Sequence, residues 1–216
     1  FNMLTGKQYM TLANELYKEI DGQAGQEYGA YTQSQLESDV NTDWIKETTR
    51  TGVVHSHNLQ VQGGNENTKI LTSIGYFDQA GVLKNTDYSR FSGRVNVDQK
   101  INSFIKSGVS LYGQRANSNI QDYGGNILQS NVLLGILTYD PTVPAYNADG
   151  SFGRPPGGRG DNPLANLVAR QNEVVQDRLN GNAYLEIKPI QDLTARVNGG
   201  VEIAHYFTGK YLPKST

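Results

Sequence analysis

Residues 90–98 read RFSGRVNVD, and along this stretch the side chains alternate strictly between polar and apolar. One set is Phe91, Gly93, Val95 and Val97, and the other is Arg90, Ser92, Arg94, Asn96 and Asp98. Successive side chains of a β-strand point to opposite faces of the sheet, so this period of two predicts a strand with one apolar and one polar face.

Five further segments are predicted as strands. Residues 56–63, 105–114, 178–188 and 193–204 alternate in the same way, whereas residues 69–77 are strand-like but apolar on both faces. Repeated alternation is typical of an antiparallel sheet that has one face in water. The sequence therefore predicts an all-β chain of about six antiparallel strands.

The connections between these strands alternate between short and long. Residues 63–68, 99–104 and 188–192 form short turns, whereas residues 1–51, 78–87 and 115–177 form the longer segments. In an antiparallel meander, alternate connections lie at the same end of the sheet. Outer-membrane β-barrels show this asymmetry, with short periplasmic turns and longer extracellular loops.

The two longest connections contain helical patterns. Residues 3–20, 126–137 and 163–173 are predicted as helices from the spacing of their apolar residues and from their capping residues. The last two flank a segment rich in proline and glycine that carries Tyr139, Tyr146 and Phe152. A connection as long as residues 115–177 is usually functional or disordered.

Composition excludes several classes of protein. Among 216 residues, 19 Lys and Arg oppose 21 Asp and Glu, so the net charge of −2 argues against a nucleic-acid partner. Cysteine is absent, which excludes disulfides, zinc–thiolate clusters and thiol nucleophiles. The longest apolar run, residues 132–137, is far shorter than the ~20 residues of a membrane helix. Short, half-apolar strands nevertheless remain compatible with a membrane barrel.

Candidate catalytic and metal-binding groups are sparse. His55 and His57 would share one face of a strand, but no third ligand lies nearby, so we expect no metal site. Residues 153–160 are rich in glycine but lack the Lys and Ser/Thr of a phosphate-binding loop. No Ser/His/Asp set has recognisable flanking motifs. We therefore predict neither an enzyme nor a bound cofactor.

The polar strand face is the stronger functional candidate. We single out Arg90, Arg94, Asn96, Lys106, Arg178, Arg196 and Glu202 on this face. They would line the water-filled lumen of a barrel whose aliphatic face meets lipid, or they would face solvent in a soluble β-sandwich. Alternation does not separate these alternatives, because each puts one face in water. The uneven connections favour the barrel, as do strand lengths near the ~9–11 residues that cross a bilayer.

A family resemblance points the same way. Residues 76–111, YFDQAGVLKNTDYSRFSGRVNVDQKINSFIKSGVSL, resemble the early barrel region of SusC/RagA-type TonB-dependent outer-membrane transporters of Bacteroidetes. Residues 42–77 are similar to the same region in their Asp-Trp pair, NLQVQGG strand end and Gly-Tyr-Phe triplet. Residues 1–17 resemble the segment after the first barrel strand, and residues 162–173 resemble part of a long extracellular loop. The most specific part is residues 75–98.

The resemblance implies an interior fragment of a transmembrane β-barrel, since six strands are too few to close a plugged barrel of about 22. It divides the chain into an extracellular loop with a short helix (1–51), barrel strands (52–114), a long extracellular loop with short helices (115–177) and further barrel strands (178–216).

The resemblance also implies a function and partners. The intact protein would import oligosaccharides or peptides across the outer membrane of a Gram-negative cell. TonB would be contacted through an N-terminal region outside this chain, a SusD-like lipoprotein would cap the lumen, and lipid would surround the barrel. The loop that carries Tyr139, Tyr146 and Phe152 would line the extracellular mouth or contact that lipoprotein, and these aromatic residues would stack on the sugar rings of a substrate. In the alternative, which we favour for most of them, they only pack the loop. The alternatives are a soluble β-sandwich that binds a ligand or acts as an adhesin, and a simple porin.

Overall fold

The described residues, 3–19, 31–120, 132–155 and 160–211 of a computed structural model, contain one six-stranded antiparallel sheet. Its strands are β1 (Val54–Gly64), β2 (Thr68–Ala80), β3 (Asp87–Lys100), β4 (Ile105–Asn119), β5 (Gln171–Ile190) and β6 (Leu193–Tyr211). Each strand pairs with its neighbours in the sequence, in the order β1-β2-β3-β4-β5-β6. The sheet confirms the predicted antiparallel meander.

The helices lie in the connections. They are α1 (Gly6–Glu19), α2 (Gln33–Leu36), α3 (Trp44–Thr48), α4 (Val132–Thr138) and α5 (Pro163–Ala169). Within the described ranges, no helix combines the length and the apolar character needed to cross a membrane. Part of the helix predicted at 126–137 lies outside the described residues, as does residue 20. The helix predicted at 163–173 ends early, because residues from Gln171 onwards pair in the sheet.

The strands are longer than the alternation predicted. β4 continues to Asn119, and β5 begins at Gln171, so the connection between them covers residues 120–170 rather than 115–177. The additional residues pair with one another, with Asn119 opposite Glu173. They are mostly polar, so they give no alternating signal, and backbone hydrogen bonds define this part of the ladder instead.

One face of the sheet, termed the outer face, carries a continuous apolar band. In β4, β5 and β6, residues 105–113, 179–187 and 195–203 have a small or aliphatic residue at every outer position. Many of these side chains are exposed, and Val197 is 73% exposed. Each segment has the length of ~9–11 residues with which a tilted strand crosses a bilayer.

A row of aromatic and charged residues ends this band towards the long connections. Successive partners across the ladder are Tyr76, Phe91, Arg115, Asp177 and His205. The Nε of Arg115 lies 3.3 Å from Oδ1 of Asp177. An apolar band bordered by aromatic residues is typical of the lipid-facing surface of a membrane barrel.

Asparagine side chains form two of the tight turns. Oδ1 of Asn65 accepts hydrogen bonds from the backbone N–H groups of Asn67 and Thr68, each at 2.8 Å. Asn102 bonds the N–H groups of Phe104 and Ile105 in the same way, at 2.9 and 2.8 Å. This side-chain mimicry of a backbone turn is a common use of asparagine.

The long connections pack together into a unit termed the loop cluster (residues 31–53, 81–86, 132–155 and 160–170). Its buried core consists of Trp44, Val132, Ile136, Val143, Leu164 and Leu167. Helices α3, α4 and α5 therefore share one core although they come from two different connections. Indole Nε1 of Trp44 joins these connections by donating to the carbonyl of Asp140 at 3.0 Å.

Asparagines attach the loop cluster to the ends of the strands. Asn85, which has a left-handed backbone (φ 56°), donates from Nδ2 to the carbonyl of Leu167 at 2.9 Å. Asn119 at the end of β4 donates to the carbonyl of Asn85 at 2.9 Å. The position of α5 is thus tied by hydrogen bonds to the ends of β3 and β4.

Substitution of Asn162 tests which hydrogen bonds stabilise the loop cluster. It is 1% exposed, and its Oδ1 caps α5 while its Nδ2 donates to the carbonyls of Ala145 and Gly153. Asn162→Ala removes the cap and the donor to the carbonyl of Gly153, whose hydrogen bond with Asn162 is buried, so we expect a local loss of about 1–3 kcal/mol. Hydrogen exchange of the α5 amides in the intact protein measures this loss. The control Asn147→Ala, in an exposed turn, should change their protection by less than about 0.5 kcal/mol. Equal protection in the two variants would contradict the anchoring role.

Candidate functional site

The face of the sheet opposite the apolar band, termed the inner face, carries the polar residues singled out from the sequence. The ladder places all of them on this side: Arg90, Arg94, Asn96, Lys106, Arg178, Arg196 and Glu202. Arg94, for example, lies opposite Tyr112, and Lys106 lies opposite Glu186. The structure thus brings the seven residues onto one face, and their role as lumen-facing residues stays a prediction.

Aromatic rings accompany three of the inner-face arginines. The guanidinium carbon lies 5.8 Å from the ring centre in the Arg90–Phe77 pair, 5.3 Å in Arg94–Tyr112 and 3.9 Å in Arg196–Tyr184. A cation over an aromatic face is attracted by the ring quadrupole. The charged residues were predicted from the sequence but their aromatic partners were not, because pairing between neighbouring strands depends on register. Phe77 belongs to the strand whose orientation the pattern left ambiguous.

A glycine allows one tyrosine to lie across the neighbouring strand. The hydroxyl of Tyr184 on β5 donates to Oδ1 of Asp98 on β3 at 2.7 Å. Between them on β4 is Gly108, where a Cβ atom would collide with the Tyr184 ring. The absence of a side chain at this position therefore permits a hydrogen bond that spans three strands.

Two ion pairs also lie on this face. Nε of Arg178 is 3.5 Å from Oε1 of Glu202, and Nη1 of Arg196 is 3.8 Å from Oε2 of Glu186. The side chains of Arg178 and Glu202 are 37% and 59% exposed, so this contact contributes little to stability.

The middle of the inner face is concave. A hollow of about 740 Å³ is lined by Arg94, Tyr112, Gln114, Arg178, Asn180, Glu202 and neighbouring small or polar residues. The Tyr112 hydroxyl donates to Oε1 of Gln114 at 2.7 Å, and Ser110 donates to Oδ1 of Asn96 at 2.7 Å. These guanidinium, amide and hydroxyl groups can bind a polar solute by hydrogen bonds.

The histidines lie away from this hollow. His55, His57 and His205 occupy outer-face positions near the long connections. In the described part of the chain, no three His, Cys, Asp or Glu side chains are grouped so that they could hold a metal ion.

The three aromatic residues predicted to contact substrate lie in the loop cluster. Tyr139 packs edge-to-face on Trp44, with ring centres 4.9 Å apart, and Phe152 packs against the same core. Tyr146 stacks on Phe152 at 5.2 Å and is 49% exposed. Tyr139 and Phe152 thus have a clear packing role, and Tyr146 is the most accessible of the three. Their role in substrate binding stays a prediction.

A second, smaller hollow in the loop region was not predicted from the sequence. It has a volume of about 160 Å³ and is lined mainly by apolar side chains, including Leu4, Tyr9, Trp44, Ile136 and Tyr139. It forms where α1 meets α3 and α4, so it depends on contacts between residues more than 90 positions apart, for which the sequence has no local signal.

Comparison with known proteins adds sequence relatives. No protein-family model matches the chain. It is 29% identical over 188 residues to TonB-dependent receptor P3 of Formosa agariphila. The aligned region covers 85% of this chain and 19% of the receptor. It is also 29% identical over 143 residues to TonB-dependent receptor SusC of Bacteroides thetaiotaomicron, covering 62% of this chain and 14% of SusC. The chain spans less than a fifth of the length of these relatives.

Solved structures show the same likeness. The chain superposes on a structure of the RagAB peptide transporter with a TM-score of 0.74 and 25% identity, covering 97% of this chain and 26% of the matched chain. The RagAB peptide importer in its 'open-open' state matches with a TM-score of 0.68 and 26% identity, at the same coverage. The resemblance read from residues 42–111 is thereby confirmed in both sequence and fold.

Burial raises the pKa of Tyr139 in the loop cluster to about 12. The carboxylates of Asp161 and Asp140 add to this rise, whereas the charge of Arg154 opposes it. The neutral phenol is therefore favoured in the folded state.

The Tyr139 pKa predicts how the loop cluster responds to alkali. A folded-state pKa of about 12 exceeds the ordinary value of 10.0, so the folded cluster retains a proton that the unfolded chain loses. This stabilisation is fully present below pH 10.0 and is lost as the pH rises to about 12. Hydrogen exchange of α4 and α5 amides, corrected for the pH dependence of intrinsic exchange, should show this loss. Tyr139→Phe should remove that part of the pH dependence, and Tyr146→Phe should not. An identical profile in all three proteins would contradict the assignment.

Proposed function

We propose that this chain, which resembles SusC/RagA-type TonB-dependent transporters in sequence and fold, forms part of the wall and mouth of an outer-membrane nutrient importer. The observation that carries this proposal is the division of one meander into two unlike faces. Every strand contributes apolar residues to the outer face, and every strand except β2, which also has Leu71 and Phe77 on the inner side, contributes mostly polar residues to the inner face.

Lipid is the partner that suits the outer face. Leu59, Val61, Leu111, Val197 and Val201 are each about half exposed or more and belong to one continuous apolar surface. In water, an apolar surface of this kind would promote association between protein molecules. In the hydrocarbon of a membrane, exposing the same surface carries no free-energy cost. The described strands form one sheet, without the second stacked sheet that a β-sandwich requires.

The loop cluster is proposed to lie outside the cell. The turns at 65–67, 101–104 and 191–192 share one end of the sheet, and the loop cluster belongs to the other. Outer-membrane barrels have their longer loops outside. This supports the division into extracellular loops at 1–51 and 115–177 and barrel strands at 52–114 and 178–216, with the strand ends extended as the ladder shows.

The substrate and partners follow by analogy with the relatives. We propose that peptides or glycans pass along the polar inner face. A SusD-like lipoprotein would cover the loop cluster, and TonB would act through a region outside this chain. Tyr146, nearly half exposed beside Phe152, is the best placed of the three loop aromatics to stack on a substrate at the mouth. The wall would bind and guide solutes without chemical change.

Sidedness is the direct test of this proposal. An epitope tag inserted after Asp149, in an exposed turn of the loop cluster, should be labelled by antibody on intact cells that make the full-length protein. A tag at Asn65, in the β1–β2 turn, should be labelled only after permeabilisation. Antiparallel neighbours reverse direction at each connection, so the two tags belong on opposite sides of the membrane. Equal labelling of the two tags, or the reverse order, would overturn the barrel topology.

The assignment of the two faces has its own test. Val95 lies in the outer band between Thr72 and Leu111. In the full-length protein, Val95→Arg should destabilise the barrel by about 2–4 kcal/mol if this position is near the bilayer midplane. Reversible unfolding from lipid vesicles measures the loss. Gln60→Arg, at an inner-face position of β1, is the matched control and should cost much less. A larger loss at residue 60 than at residue 95 would reverse the two faces.

A further inference from the structure

Charge is distributed unevenly between the two faces of the sheet. Among strand residues with a ladder partner, the inner face has eight cations, namely Lys69, Arg90, Arg94, Lys100, Lys106, Arg178, Arg196 and Lys210, against three carboxylates, Asp98, Glu186 and Glu202. The chain as a whole has a net charge of −2. The basic inner face therefore does not reflect the overall composition.

The central arginines of this face are only partly neutralised. Arg90, Arg94 and Arg178 occupy neighbouring rungs of the ladder, and Glu202 is the carboxylate on the same rungs. Among the described residues, neither Arg90 nor Arg94 has a carboxylate within 4.0 Å. Both are held against aromatic rings instead, so their N–H groups are not used by protein carboxylates.

Two of these arginines line the hollow on the inner face. Arg94 on β3 and Arg178 on β5 both line it, on either side of β4. Strands two apart in a sheet are about 10 Å apart, a span that an extended oligomer bridges with successive units. The amides of Gln114, Asn180 and Asn182 line the same hollow and add neutral hydrogen-bonding groups.

We propose that this part of the inner face binds oxyanion groups, carboxylate or sulfate, of the transported oligomer through Arg94 and Arg178. The proposal rests on the transport function and narrows its substrate class to acidic oligomers. Guanidinium groups match the geometry of carboxylates and sulfates, and charge-assisted hydrogen bonds are stronger than neutral ones. A cleft with one sign of charge and low-dielectric walls also raises the local concentration of the opposite ion.

Binding to the full-length transporter tests this substrate class. The probes for titration calorimetry are a decapeptide of alternating Glu and Ser, the same peptide with Gln for Glu, an oligogalacturonate, and a neutral maltooligosaccharide of equal length. In at least one pair, the acidic probe should bind about tenfold more tightly than its neutral counterpart, and added salt should reduce the difference. The pair that shows the preference identifies whether a peptide or a glycan carries the oxyanion.

Matched arginine variants locate the effect on the inner face. Arg94→Gln and Arg178→Gln should each weaken the acidic probe several-fold and leave the neutral probe nearly unchanged. Arg115→Gln removes an arginine from the outer face of β4 and should alter neither. Equal binding of acidic and neutral probes, no binding of any probe, or a preference that survives both inner-face variants would overturn the proposal. The last result would assign the preference to other charges of the barrel.

Transport assays separate this inference from the proposed function. Cells that make the full-length protein should accumulate the acidic probe faster than its neutral counterpart, and a TonB-deficient strain should accumulate neither. Equal TonB-dependent uptake of both probes would retain the transporter and reject the oxyanion site. TonB-independent accumulation, or none, together with equal labelling of the two epitope tags, would reject the transporter itself.

Discussion

The register of a single antiparallel ladder is the constraint on which the rest of this structure depends. Side chains alternate with a period of two, so a slip of one residue between two strands would turn every inner-face residue of the shifted strand towards the apolar face. Each strand is therefore held in register by the different environments of its two faces. The same register brings Arg94 beside Tyr112 and leaves Gly108 between Asp98 and Tyr184. Contacts on the inner face are thus a direct consequence of the partition between water and apolar surroundings.

Strand existence and order were predictable from the sequence, because alternation and turn residues are local signals. Residues 90–98 predicted β3 and both of its faces correctly. Strand ends were not predictable where both faces become polar, as at Asn119 and Gln171, since only hydrogen bonding across the ladder defines them there. The seven polar residues were placed on one face from the pattern alone. Their ring partners were not, because a partner on another strand is known only once the register is known.

The loop cluster shows why long connections are harder to predict than strands. Its core joins Trp44 to residues about a hundred positions later, so no window of sequence contains both partners. The physical reason for the association is simple: short helices such as α3 and α4 cannot bury their apolar side chains alone. Packed together with α5, which Asn162 caps, they form a compact unit at the end of the sheet. Tyr139 was predicted as a substrate contact, but it packs on Trp44 and so has a structural role in the loop cluster. Contact with a substrate would have to leave this packing intact.

Arginines held by aromatic rings suit the transport wall that we propose better than fully paired ion pairs would. A carboxylate partner occupies the guanidinium N–H groups, whereas a ring face attracts the cation and leaves those groups at its edge available. The ring also restricts the side chain beforehand, so less conformational entropy is lost when a ligand binds. Exposed contacts of this kind are individually weak, as in the pair of Arg94 with Tyr112 at 5.3 Å. Weak, preorganised and repeated contacts permit binding at successive positions without trapping the solute, which is the requirement of a wall that must also release what it binds.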